Sequence, residues 1–314
     1  MTKTETSVPL GVTFGSLAVL GPRGVLDIAR LADELGYRSL WTVEATGTDA
    51  FSLLGGVSAV APGLDLATGI VPVQLRTPPL AAMSAATLQA MSPDADVWLG
   101  VGVSAPGILR GHGQASTDRP IAMMREYVAL LRECLSGESV TFEGDFWQVK
   151  RFRLAVRLGE RRPKIVMAAL NPQMLKLAGE VADGVLLNYL PSSHVGDSVA
   201  QVRKGGNAKI FAYVHAAVAE LNERTANSAR KDLFNYAMAD GYARMFRSAG
   251  FNEEVDELRA RQAERDRDGA LAAISERMIQ AIDFIGSANE VGDFVRAYVD
   301  AGVESPVLMP MPWG

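Results

Sequence analysis

Short runs rich in β-branched and apolar residues alternate with longer runs of helical spacing along almost the whole chain. That alternation narrows the fold more than any other feature of the sequence. The β-rich runs lie near 10–14 (LGVTF), 38–43 (RSLWTV), 65–70 (DLATGI), 97–103 (VWLGVGV), 164–168 (KIVMA), 184–188 (GVLLN), 209–215 (KIFAYVH) and 305–309 (SPVLM). Between them, stretches such as RGVLDIARLADELG set Val25, Ile28, Leu31, Ala32 and Leu35 on one stripe, with Gly36 as the cap. Near-continuous apolar strands separated by helices predict a parallel sheet covered by helices. Eight strands point to an α/β fold of the (β/α)8 TIM-barrel type, with a doubly wound sheet as the alternative.

No shift in composition marks a linker, so one domain spanning 1–314 is expected, interrupted by two long insertions. Residues 138–163 read as a β-hairpin excursion, and residues 216–285, rich in Ala, Arg, Glu and Asp, as several helices. In a barrel such insertions belong on the C-terminal face of the strands or cover it.

With 314 residues, 48% of them hydrophobic, the chain can bury a large core. A net charge of -5 with only 21% charged residues gives no basic field for nucleic acid, so an anionic ligand must be held by local groups. The lone Cys134 lies in a helical-looking stretch and reads as a buried, inert thiol, and a disulfide within the chain is excluded. The first residues, MTKTETSVP, carry no apolar leader, and no stretch approaches the length of a membrane span. A soluble, cytoplasmic protein is expected.

Several stretches could carry chemistry. In LGVGVSAPG (99–107), Gly100, Gly102 and Ala105 match a dinucleotide fingerprint, but the match sits in the fourth strand and Pro106 follows at once. It reads better as a glycine-rich strand end that lets a ligand approach the backbone. Ala168 and Ala169 end the fifth strand, Asn171 can cap the next helix and Pro172 takes its first position. Such a helix start can face a phosphate or be simply well capped. Glu44 ends the second strand, where desolvation would suit it to proton transfer; a hydrogen-bonded structural glutamate is the equal alternative. His112, His194 and His215 share no metal-ligand spacing, so no zinc site is expected. His112, in the loop RGHGQ, could reach a substrate or be a solvated loop residue. In ATGIVPVQLRTPP (67–79), glycine precedes a bulky residue inside an apolar segment, which reads as a strand bulge ended by Pro72.

Six segments in order, LWTVEATGTDAF (40–51), LATGIVPVQLRTPPLAAMSAATL (66–88), LGVGVSAPGIL (99–109), REYVALLRECLSGESVTFEGDFWQV (125–149), AALNPQMLKLAGEVADGVLLN (168–188) and AGVESPVLMPMPWG (301–314), resemble the luciferase-like monooxygenase superfamily. Within it they are similar to the oxidoreductases that use the deazaflavin coenzyme F420. The resemblance implies a barrel mouth holding F420, with FMN as the alternative cofactor. Its ring would lie against Thr68, Gly69, Ile70 and Val71, and its side chain and phosphate against Gly102, Val103, Ser104, Ala168, Ala169, Leu170 and Asn171. It further implies a cis peptide at Gly69-Ile70, with Ile70 behind the ring and Glu44 near its reactive end.

The implied activity is hydride transfer between F420 and a small organic substrate in a homodimeric enzyme, with His112 as a candidate substrate contact. An FMN-dependent monooxygenase and a non-catalytic flavin-binding barrel are the alternatives. Relatives that oxidise alcohols or sugar phosphates tend to carry histidine and tryptophan after the second strand. Here Ala45, Thr46 and Gly47 stand there, which favours a reductase. The loop Arg110-Gly111-His112-Gly113 also departs from the acidic, tryptophan-bearing loop of relatives. Relatives usually continue into a last helix where this sequence stops at Trp313-Gly314, so either the sequence is truncated or the eighth helix is missing.

Overall fold

The computed structural model describes residues 8–313, and in it all eight expected strands form. In chain order the strands are β1 (Gly11–Thr13), β2 (Ser39–Thr42), β3 (Asp65–Thr68), β4 (Val71–Pro72), β5 (Val97–Gly102), β6 (Val140–Glu143), β7 (Gln148–Phe152), β8 (Lys164–Ala168), β9 (Gly184–Leu187), β10 (Lys209–Val218), β11 (Asp283–Gly286) and β12 (Ser305–Pro310). Parallel pairing runs from β1 through β2, β3, β5, β8, β9 and β10 to β12, and β12 pairs back onto β1. The sheet therefore closes as a barrel and is not doubly wound.

The helices are α1 (Gly21–Glu34), α2 (Ala50–Val60), α3 (Pro78–Met91), α4 (Pro106–Gly111), α5 (Pro120–Leu135), α6 (Pro172–Val181), α7 (Ser192–Arg203), α8 (Glu223–Ala237), α9 (Asp240–Ser248), α10 (Asn252–Ala263), α11 (Arg267–Ala272), α12 (Glu276–Ile282) and α13 (Ala288–Asp300). Proline opens α3, α4, α5 and α6, where its missing N–H costs nothing. Capping boxes start α8, from Asn222 and Thr225, and α13, from Ser287 and Glu290. No helix among the described residues is long and apolar enough to cross a membrane.

Inward-facing side chains fill the barrel: Trp41, Trp98, Val166, Leu186, Phe211, Tyr213 and Val307. Phe211 lies between the two indoles, with ring centroids 5.0 Å from Trp41 and 4.9 Å from Trp98. The buried Trp41 N–H donates to Ser39 Oγ at 2.9 Å, so this bulky layer leaves no indole donor stranded.

The outer layer departs from the expected stripe on α1. Val25, Ala29 and Ala32 are buried, but Leu31 and Leu35 face outward and are more than half exposed. The face that α1 buries carries small side chains, and the larger leucines lie on the outside. Cys134 is buried in α5 as expected, and burial pushes its thiol up to about 11.

The insertions divide. Residues 138–163 do form a hairpin, β6 against β7. It leaves the end of α5 and so starts from the face opposite the mouth, not on it. Its turn packs back along α5, where Glu126 accepts from the N–H groups of Asp145, Phe146 and Trp147. Residues 216–285 do lie over the C-terminal rim as helices α8 to α12, but they end in β11, a strand absent from the expectation. β11 pairs with the far half of β10, from His215 opposite Asp283 to Val218 opposite Gly286.

At the end of β3 the ladder breaks. Thr68 Oγ1 accepts from the N–H of Gly100 and donates to its carbonyl, both at 2.8 Å. The chain then passes through a cis Gly69-Ile70 peptide, as the resemblance implied, and resumes pairing with β5 as β4, Val71 opposite Val101. Gly100 is glycine because a Cβ there would run into the Thr68 carbonyl. Backbone cannot step aside as a side chain can. Gly100→Ala is therefore expected to lower stability by about 1–3 kcal/mol, read as the urea midpoint; an unchanged midpoint would show that the two strands have room to part.

Candidate functional site

The C-terminal ends of the barrel strands share one rim, and the break after β3 is its most elaborate part. Three backbone groups of the break are bonded: Gly69 N–H donates to Thr42 O at 2.6 Å, Tyr213 Oη donates to Gly69 O at 2.9 Å, and Glu44 N–H donates to Ile70 O at 3.1 Å. Gly69 lies against Tyr213 and Trp41, and a Cβ there would collide with the Tyr213 hydroxyl. Ile70 is carried over the barrel interior, packed on its aromatic layer and still partly exposed.

Beside Ile70 the surface is made of small residues. A Cβ on Gly102 would sit 3.2 Å from Ile70 Cγ1 and 3.3 Å from Ala168 Cβ. Only glycine leaves both side chains uncrowded here. Val103, Ser104, Ala168, Leu170 and Asn171 border the same region and are partly exposed. Thr68, Val71 and Ala169 are buried, with Thr68 tied to Gly100 and Val71 turned into the main core, so they line the rim through backbone alone.

One expectation fails at α6. Asn171 holds the N-cap position, but its side chain makes no capping bond; its amide donates to Gly241 O on α9 at 3.2 Å. The insertion has drawn that amide away. The first turn of α6 is thus left without a side-chain acceptor, a polarity that suits an anion.

Glu44 sits where the end of β2 meets the rim. Both its oxygens are engaged by one guanidinium: Arg76 Nε to Oε2 at 2.8 Å and Arg76 Nη2 to Oε1 at 2.7 Å. Arg76 also bonds Asp49, and its Cζ lies 4.7 Å from the centre of the Phe51 ring. The buried hydroxyl of Tyr127 donates to the Arg76 carbonyl at 3.0 Å, so α5 also holds this loop. Sequence reading singled out Glu44 but not its partner. Arg76 stood in plain view in QLRTPP, yet no local spacing links positions 44 and 76. His112 is exposed at the end of α4, with Nε2 2.5 Å from Ala45 O, and so bridges the loops after β5 and β2.

A model of the family described as luciferase-like monooxygenase matches residues 7–305. The chain belongs to that family. A Mycobacterium tuberculosis protein provisionally named coenzyme F420-dependent oxidoreductase is 23% identical, over 97% of this chain and 95% of that one. A 5,10-methylenetetrahydromethanopterin reductase of Methanolobus tindarius is 31% identical, over 56% of this chain and 52% of its own. The solved coenzyme F420-dependent tetrahydromethanopterin reductase of Methanopyrus kandleri superposes with a TM-score of 0.80 at 20% identity, covering 97% and 93% of the two chains. At that identity the superposition speaks for the luciferase-like barrel.

At the luciferase-like rim the Glu44–Arg76 pair is largely withdrawn from water, its side chains only 12% and 14% exposed. Removing the guanidinium strands a carboxylate with little water. Arg76→Met is expected to cost about 3 kcal/mol, whereas Asp49→Asn, at the more exposed end, is expected to cost under about 1 kcal/mol. Adding Glu44→Gln to Arg76→Met should recover part of the loss. Urea unfolding of wild type, Arg76→Met, Glu44→Gln and the double variant measures this coupling, and strictly additive losses would mean the pair does not hold the rim.

Proposed function

We propose that this chain is an F420-dependent oxidoreductase, working as a reductase on a small organic substrate. The observation that carries the reading is the glycine floor at the mouth, where a Cβ on the buried Gly102 would crowd the partly exposed Ile70 and Ala168. A flat ring can lie on such a floor, and the uncapped first turn of α6 beside it suits a phosphate. The relatives named for F420 add weight to this cofactor over FMN.

When bound, F420 supplies or accepts a hydride at its ring carbon. The residues do the rest. Ile70 would close one face of the ring position, with Thr68, Gly69 and Val71 behind it. Gly102, Val103 and Ser104 with Ala168, Ala169, Leu170 and Asn171 would hold the tail and phosphate. Glu44, held by Arg76, would serve the reacting end, and His112 would serve the substrate.

Fluorescence titration is expected to show tight binding of F420 and weak binding of FMN, and Gly102→Val should weaken F420 by more than about tenfold by filling the floor. Comparable FMN binding would overturn the cofactor assignment in favour of an FMN-dependent monooxygenase. Glu44→Gln is expected to slow turnover while leaving F420 affinity nearly unchanged; equal turnover would remove Glu44 from the reaction.

A homodimer fits the outer surface. On α3, Leu80, Met83 and Met91 recur on one face and are 43%, 48% and 53% exposed. A helix apolar on its outer side needs a partner. Sedimentation is expected to give a dimer that Leu80→Asp with Met83→Asp converts to monomer; a wild-type monomer at micromolar concentration would dismiss this assembly.

A further inference from the structure

Beside the mouth, under the insertion, lies a polar cluster that the proposed reaction does not use. His215 comes from β10, Asp283 from β11 and Asp232 from α8, far apart in sequence, and one ligand atom from each lies within 4.8 Å of the other two. His215 and Asp283 are 1% and 0% exposed. His215 Nδ1 and both Asp283 oxygens are buried with no hydrogen-bond partner. Among the described residues, no lysine or arginine pairs with either carboxylate. Buried polar atoms left so are uncommon, and each calls for a missing partner.

The surroundings say what kind. Asn188 Nδ2 donates to Tyr242 Oη at 3.0 Å, which leaves Asn188 Oδ1 to face His215 Nε2 at 2.9 Å. The proton of a neutral imidazole then sits on Nε2, and Nδ1 presents a bare lone pair toward Asp283. Burial keeps that imidazole neutral. Tyr189 Oη donates to Asp232 Oδ2 at 2.6 Å and orients the second carboxylate. His215 Nδ1 stands 3.6 Å from Asp283 Oδ1. That is too long for a hydrogen bond, yet it is about the separation of two ligands that each lie roughly 2.0–2.2 Å from a tetrahedral zinc.

We propose that His215, Asp232 and Asp283 bind a divalent metal ion of the zinc class, which clamps helix α8 and strand β11 to the barrel strand β10. One nitrogen and two carboxylates suit zinc, cobalt or manganese better than calcium, which takes more oxygens, or a soft monovalent ion. Asn188 and Tyr189 are the outer groups that fix the ligands, as outer partners do in known sites. Half-buried Asp232 gives the ion a way in from the α8 side. Metal-binding spacing in the sequence could not reveal this set, because the ligands meet only when β11 pairs with β10. The inference is independent of the F420 reading.

The probe is Co2+ alone, titrated into chelator-treated protein and followed by visible absorption and metal analysis. Wild type is expected to take up about one equivalent with ligand-field bands, and Zn2+ should displace it. His215→Gln and Asp283→Asn should abolish uptake. Should these buried variants fail to fold, Asn188→Ala, which keeps all three ligands, should still weaken uptake roughly tenfold or more. Chelation should also lower the melting temperature of wild type. Wild type that binds no Co2+, or variants that bind it as wild type does, would overturn the proposal and leave a proton shared between the two carboxyls as the occupant.

Discussion

The rim of this barrel depends on one exchange of hydrogen bonds between Thr68 and Gly100. Where β3 stops pairing in register, the threonine hydroxyl takes the place of a neighbouring strand, accepting from and donating to the same glycine. A buried hydroxyl with both roles filled is costly to move, because any shift strands two backbone groups at once. That exchange lets the chain leave the ladder, turn through Gly69-Ile70 and rejoin β5 as β4. Ile70 owes its position over the barrel interior to it, and so does the open floor at Gly102.

Around this break the molecule concentrates polar control on an apolar frame. The barrel interior is filled by aromatic packing. The rim is held by directed bonds: Tyr213 on Gly69, Arg76 on Glu44, Tyr127 on the Arg76 carbonyl. Directed bonds fix positions more sharply than apolar contact does.

Much of the barrel was legible in the sequence, since parallel strands buried on both faces leave near-continuous apolar runs between helical ones, and all eight were found. The glycine at 69 and the pair at 100 and 102 were legible for a related reason: glycine inside an apolar strand marks a place where something must come close. What stayed hidden depended on contacts between distant segments. Arg76 finds Glu44 only through the β3 break, and Asn171 gives up its capping role only because α9 lies above it. β11 is four residues long within a charged helical stretch, too short for its period to show. Leu31 and Leu35 misled because the stripe was judged by hydrophobicity, whereas the face that α1 buries carries the smaller Val25, Ala29 and Ala32.

β10 carries a consequence of its own. At ten residues it is longer than its barrel neighbours, and past its contact with β9 its free edge is taken by β11. The helical cover α8 to α12 thus leaves from one end of β10 and returns hydrogen-bonded alongside it. A segment whose two ends are already joined pays almost nothing more in closure entropy when it lengthens or shortens. The barrel is indifferent to the size of its cover, so this stretch can be rebuilt over evolutionary time to admit different substrates while the floor beneath stays the same.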